Sequence, residues 1–410
     1  MKKFIILLCL LLLTGCGAAD LPPESNQMIP VQGEATVPAE APEQTPETEP
    51  ETPRLPKPPL PEIIDPKTKT IDTILVGMTL EEKVGQLFFI RCPASSQVEY
   101  IAEYRPGGVL LFLRDFQNSA GEWLTFEELT ANLDSYQAAS SIPLLIGVDE
   151  EGGTVARASQ NPNLFPQRFR SPQKIFEKGG MTAIATDAFD KSVGLLDLGI
   201  NVNFAPVADV STDPSDFIYR RAFGKSAEET AEYVRTVVTE MESARIGSVL
   251  KHFPGYGNNE DTHTGIAVDE RPYETFVSSD FLPFAAGIEA GADSVLVSHN
   301  IVTCMDNALP ASLSPDGHRI LREELGFDGV IMTDDLIMDA VKGYADSGSA
   351  TVLAILAGND MLVSSDFTRE ITEVLSAVND GTIPMEMIDS AVRRVLSWKY
   401  DLGLLEVNHD

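Results

Sequence analysis

The sequence is short of basic residues, histidine, cysteine and long apolar runs. Lys and Arg number 30 against 62 Asp and Glu, a net charge of -32 over 410 residues. Such a chain repels a phosphate backbone, so nucleic acid is excluded as a partner. Five histidines and four cysteines occur, with no Cys/His spacing of the kind that binds zinc. Cys9 and Cys16 lie at the extreme N-terminus, which leaves Cys92 and Cys304 in the body. Two cysteines make no disulfide framework, and their spacing leaves open whether they pair. No Gly-x-Gly-x-x-Gly follows a first strand, which argues against a dinucleotide fold. No metal and no organic cofactor is expected.

The one strongly apolar run, "FIILLCLLLL", is too short to span a bilayer. It follows the basic "MKK" and leads into "LTGC". The arrangement resembles a bacterial lipoprotein signal over residues 1–16, cleaved before Cys16, whose thiol then carries lipid. An ordinary secretory signal with a chance cysteine is the alternative. The first reading implies an extracytoplasmic protein anchored to the bacterial cell membrane by lipid, not by a span. Residues 17–66 are rich in Pro, Glu and Thr and contain no aromatic residue. Such a segment buries too little surface to offset its ordering entropy, and proline and like charge extend it. It is expected to be a disordered spacer.

From residue 67 to 410 the composition is globular. Eight short apolar runs recur, most followed by a helical pattern: 87–91, 107–112, 143–149, 202–210, 247–253, 294–299, 329–335 and 360–364. Alternation of this kind predicts an α/β fold with a parallel sheet, and eight repeats in this length fit a single TIM-like (β/α)8 barrel. A doubly wound open sheet is the alternative. Thr79 with Glu82 forms a capping-box pattern within "TIDTILVGMTLEEKVGQLFF", and Gly199 and Gly326 suit helix C-caps.

The ends of these runs carry Asp149, Asp209, Lys251 with His252, His299, and Asp334 with Asp335. Chemistry in such barrels sits at the C-terminal strand ends. Asp334 can act there as a nucleophile or stabilise a cationic transition state, while Asp335 suits a helix cap. In "DEEGGTVAR", Asp149 and Arg157 flank a glycine turn and can hold sugar hydroxyls; a structural ion pair is the plain alternative. One of Arg220 and Arg221 can face the mouth. Lys251 and His252 suit hydrogen bonds to ligand hydroxyls. Asp261 and His263, in "KHFPGYGNNEDTHTG", form a carboxylate–imidazole pair suited to general acid/base catalysis.

These motifs, taken in order, resemble glycoside hydrolase family 3 β-N-acetylglucosaminidases over about residues 67–405. "DEEGGTVAR", "KHFPGYG…DTH" and "GVIMTDDLIM" carry the resemblance. It implies a retaining mechanism with Asp334 as nucleophile, His263 as acid/base and Asp261 as its partner. It implies further that Asp149, Arg157, Arg221 rather than Arg220, Lys251 and His252 hold the terminal sugar, with His299 near the site. Tyr256 stands where the family usually has histidine, and the loop is one residue shorter. The expected substrate is a glycan with terminal β-linked N-acetylglucosamine, such as a peptidoglycan fragment, acted on by a monomer. No second large domain is expected after the barrel, which favours this group over family 3 β-glucosidases. A β-glucosidase or β-xylosidase on the same barrel, a glycoside phosphorylase and a non-catalytic glycan-binding lipoprotein remain the alternatives.

Overall fold

The computed structural model describes residues 65–259, 267–338, 341 and 349–405. Its strands are β1 (Phe88–Arg91), β2 (Gly108–Leu111), β3 (Leu145–Val148), β4 (Val202–Asn203), β5 (Gly247–Phe253), β6 (Val268–Asp269), β7 (Ser294–Val297), β8 (Ile301–Val302), β9 (Val330–Thr333) and β10 (Leu362–Ser364). Eight of them form one parallel sheet in the order β10-β1-β2-β3-β4-β5-β7-β9, and β6 pairs with β8 apart from it. A parallel bridge between Met332 and Met361 draws the two ends together. Met361 donates its N–H to the Ile331 carbonyl at 3.1 Å, and Thr333 donates to Met361 at 3.2 Å. The result is the expected α/β architecture, a nearly closed TIM-like barrel.

Strand side chains alternate between two faces. Phe88, Ile90, Val109, Leu111, Leu250, Val295 and Ile331 point outward into the layer shared with the helices. Phe89, Leu110, Leu145, Val202, Val249, Leu296, Met332 and Val363 fill the interior. Each fully buried side chain of this size contributes about 1.5–3 kcal/mol. Trp398, Leu402 and Leu404 pack against the same interior set from the helix Met385–Asp401 and the turn after it. Lys399, beside Trp398, is buried and donates to Gln86 Oε1 at 2.6 Å.

Two of the expected stretches are shorter or more broken than their patterns implied. The opening helical stretch is two helices, Pro66–Gly77 and Leu80–Gln86, because Thr79 starts the second with a full capping box. Asp65 caps the first, so helix begins at Pro66, the final residue assigned to the spacer. The run 202–210 yields only two residues of regular strand, since Pro206 has no N–H to extend the ladder. Gly199 and Gly326 take positive φ (85° and 66°) after their helices, the left-handed conformation that glycine adopts without a Cβ penalty. Cys92 is a buried free thiol and Cys304 an exposed one. Among the described residues no helix is long and apolar enough to cross a membrane.

Candidate active site

The same alternation that fills the barrel builds its mouth. Two residues beyond Phe89, Leu110, Val249 and Met332 stand Arg91, Phe112, Lys251 and Asp334, and Asp149 follows β3 in the same parity. All five line a single cavity of about 360 Å³ together with Arg157, Arg221, His252 and Asp335. This is the C-terminal end of the strands, where barrel chemistry is expected. Pairing between β5 and β7 shifts register between Lys251 and Phe253, and both Lys251 and His252 reach the cavity.

One wall is a continuous ion network. Lys251 Nζ lies 2.6 Å from Asp149 Oδ1 and 2.6 Å from Glu151 Oε1. Arg221 grips Glu151 with two bonds, Nε to Oε2 at 3.0 Å and Nη2 to Oε1 at 2.8 Å. Arg221 Nη2 also lies 3.0 Å from His252 Nε2. A guanidinium can only donate, so His252 Nε2 accepts and Nδ1 carries the proton, which it donates to Asp209 Oδ2 at 2.7 Å. Asp209 is held in turn by the N–H groups of His252 and Tyr256, at 3.2 and 2.7 Å. Burial disfavours the Glu151 anion, but the charges of Arg221 and Lys251 outweigh it and hold its carboxyl well below the usual range. Glu151 in return holds the Arg221 guanidinium firmly protonated despite its burial.

Glu151 was not singled out from sequence, and Asp209 was placed at a strand end without a role, yet the two hold three of the candidate site residues. Glu150 is buried beside them. Its carboxylate accepts from the N–H of Arg157 at 2.8 Å and of Ser159 at 3.3 Å, and so fixes the backbone from which Arg157 reaches the cavity.

Asp334 faces this wall. Its N–H donates to the Val297 carbonyl at 3.1 Å, and its Oδ1 accepts from the N–H of Asp335 at 2.8 Å. Asp335 accepts from the N–H of Ile337 and of Ser365, both at 3.1 Å, and from the Ser365 hydroxyl. It is thus tied into the loop beyond β9, in keeping with the structural role its position suggested. Burial raises its pKa.

His299, expected near the site beside the sugar-binding residues, lies behind the cavity wall rather than on it. It is fully buried. Its Nε2 lies 3.1 Å from the Asp335 carbonyl and its Nδ1 2.7 Å from Ser312 Oγ. A carbonyl only accepts, so Nε2 carries the proton and His299 braces the backbone beside Asp334. Arg220 is exposed and lies off the cavity, unlike Arg221.

Asp261 and His263 lie outside the described residues, as does Cys16. The flanks of the loop that carries the pair are fixed. Arg271 donates to Gly255 O at 3.1 Å, to Asp280 Oδ1 at 3.0 Å and to Asp269 Oδ2 at 2.8 Å. Asn259 also donates to Asp269, at 2.6 Å. Tyr256 is buried with its ring edge-on to His252, at 5.1 Å between centroids. It forms the packed back of the His252 site. No cluster among the described residues has the make-up of a metal site.

Residues 79–398 match the model of the glycosyl hydrolase family 3 N-terminal domain. A β-hexosaminidase of Xylella fastidiosa is 33% identical over 300 residues, which cover 70% of this chain and 83% of that protein. The fold resembles a family 3 β-N-acetylglucosaminidase from Paenibacillus (TM-score 0.72, 29% identity), covering 80% of this chain and 63% of that one. It also resembles a β-N-acetylhexosaminidase from Beutenbergia cavernae (TM-score 0.68, 27% identity), covering 79% of this chain and 99% of that one. The chain belongs to glycosyl hydrolase family 3.

Proposed function

We infer that this family member is an exo-acting β-N-acetylglucosaminidase that removes terminal β-linked N-acetylglucosamine by double displacement. The observation that carries the reading is Asp334 at the edge of a small cavity whose facing wall is already ion-paired. A cavity of about 360 Å³ lies at the small end of ligand pockets and suits one terminal sugar. The paired wall offers donors and acceptors side by side, which is what a hydroxyl requires. Because Glu151 and Asp149 together compensate Arg221 and Lys251 at fixed geometry, little reorganisation is needed when the sugar enters.

Asp334 attacks the anomeric carbon as the leaving oxygen takes a proton. His263, oriented by Asp261, supplies that proton and then activates water to release the sugar from Asp334. Retaining glycosidases generally use two carboxylates; here an imidazole takes the second part. The physiological substrate we propose is a peptidoglycan fragment, met by a monomer outside the cytoplasm and tethered through lipid on Cys16. Mass spectrometry of the membrane fraction tests the anchor: Cys16→Ala leaves the chain unlipidated and releases it from the membrane.

Nitrophenol release from the N-acetyl-β-glucosaminide and the β-glucoside tests the activity. The expected result is turnover of the first, lost in Asp334→Asn. A 2-fluoro glycosyl fluoride should add one sugar to Asp334, seen by peptide mass spectrometry. Faster release from the glucoside would move the assignment to a β-glucosidase. A sugar covalently attached elsewhere would displace Asp334 as nucleophile.

A further inference from the structure

The cations of the cavity are of two kinds. Lys251 and Arg221 each touch a carboxylate, and Arg157 donates to the Ala156 carbonyl at 3.3 Å, so all three are engaged. Arg91, across the barrel at the end of β1, is not. No hydrogen bond or ion pair engages its side chain among the described residues, and its Nε is buried without a partner. Its guanidinium carbon rests 4.3 Å from the centre of the Phe112 ring. Phe112, Leu110 and Val363 give that side of the cavity an apolar surface.

A buried N–H without an acceptor costs about 1–3 kcal/mol, so a site that retains one gains when a ligand satisfies it. The acceptor has a recognisable chemistry. A hydroxyl both donates and accepts, and the paired wall around Lys251 answers both needs. Among the described residues no carboxylate pairs with Arg91 to receive a donor, so it suits a group that only accepts. It stands over an apolar floor, which suits a methyl group. An acetamide combines the two.

We propose that Arg91 is a specificity-determining residue that reads the 2-acetamido group, donating to its carbonyl while the methyl lies against Phe112 and Val363. This rests on the N-acetylglucosaminidase reading and names the residue that would make the enzyme prefer the acetamido sugar to glucose. Stacking on Phe112 pre-orders the guanidinium, which limits the side-chain entropy lost on binding.

The test compares the parent chain with Arg91→Met, which keeps apolar bulk over Phe112, and with Arg91→Lys, which restores the charge. Two quantities are read: the ratio of kcat/KM for nitrophenyl N-acetyl-β-glucosaminide over β-glucoside, and the binding of free N-acetylglucosamine and glucose followed by NMR titration. Loss of one charge-assisted bond predicts a fall in the kcat/KM ratio of roughly ten- to a hundredfold in Arg91→Met, with partial recovery in Arg91→Lys. The binding preference should fall in parallel. Equal losses on both sugars, no loss on either, or a parent chain that binds the two sugars alike would overturn the proposal. Absence of turnover with a binding preference that Arg91→Met removes would sink the hydrolase reading and leave Arg91 as the acetamide reader.

Discussion

Lys251 and Lys399 are both buried in the same barrel, one at each end, and their surroundings differ in kind. Lys251 sits between Asp149 and Glu151, each at 2.6 Å. Lys399 has a neutral amide, Gln86 Oε1, at 2.6 Å. Burial drives the Lys399 ammonium down to a pKa of about 7. The lesson is that the mouth invests in charge and the base does not. Lys251 and Arg221 at the mouth are compensated by Asp149 and Glu151 before substrate arrives, which keeps them oriented. At the base a polar group has only to avoid being unsatisfied. Gln86 does this by accepting from Lys399 while donating to Arg105 O and Pro106 O at 3.0 and 3.3 Å.

The contrast breaks most severely if Lys251 is removed. In Lys251→Met two carboxylates, Asp149 and Glu151, lose their common cation, and Glu151 keeps only Arg221. Breaking a buried pair from one side costs about 3–5 kcal/mol. Urea unfolding should show a loss of that order, and turnover of the N-acetylglucosaminide should disappear with it.

Lys399→Met is expected to act in the opposite direction. Between about pH 7 and the ordinary lysine value of 10.5, the unfolded chain holds a proton that the folded chain has released. Stability of the parent therefore rises with pH through that window, by up to about 1.4 kcal/mol per pH unit from this group. Below pH 7 the contribution is flat. The methionine variant should be at least as stable as the parent at pH 7, with that rise removed from the urea midpoint measured against pH.

The smallest effect sharpens the comparison at the thiols. Cys92 is buried just past β1, and burial pushes its thiol far above the normal range. Cys304 is exposed. Alkylation of the folded enzyme, read by peptide mass spectrometry, should mark Cys304 and spare Cys92 until the chain is unfolded.

Much of this was open to view in the sequence, for identifiable reasons. The eight apolar runs each supplied a barrel strand, because burial on both faces of a parallel sheet leaves a continuous apolar signature. Asp149, Arg157, Arg221, Lys251, His252 and Asp334 end those strands or open the loops after them, and they line one cavity. What escaped was partnership. Glu151 looks like one more acid in a chain rich in them, and only its bonds to Arg221 and Lys251 set it apart. Counting the anions needed by two buried cations would have pointed to it. Arg91 could have been found by parity, since it stands two residues after the inward Phe89 as Lys251 does after Val249. His299 misled because a strand-end histidine looks alike whether it faces the mouth or braces the neighbouring loop. The short regular part of β4 follows from Pro206, which interrupts the ladder inside an otherwise continuous apolar run.

The pairing of β1 with β10 has a consequence for how such a chain comes into being. β1 lies near the start of the described chain and β10 near its end, yet Phe88 pairs with Leu362 and Ile90 with Ser364. The ring cannot be completed until the ribosome has delivered almost the whole sequence, and the helix that carries Trp398 across its base emerges later still. Until then β1 keeps an unpaired edge, the kind of surface that recruits other strands. Pairing over so long a stretch of chain is intrinsically slow. A chain cut short before Leu362 would retain the proposed nucleophile Asp334 and most of its surroundings, yet present an open sheet in place of a barrel, a shape suited to aggregation rather than to holding a sugar.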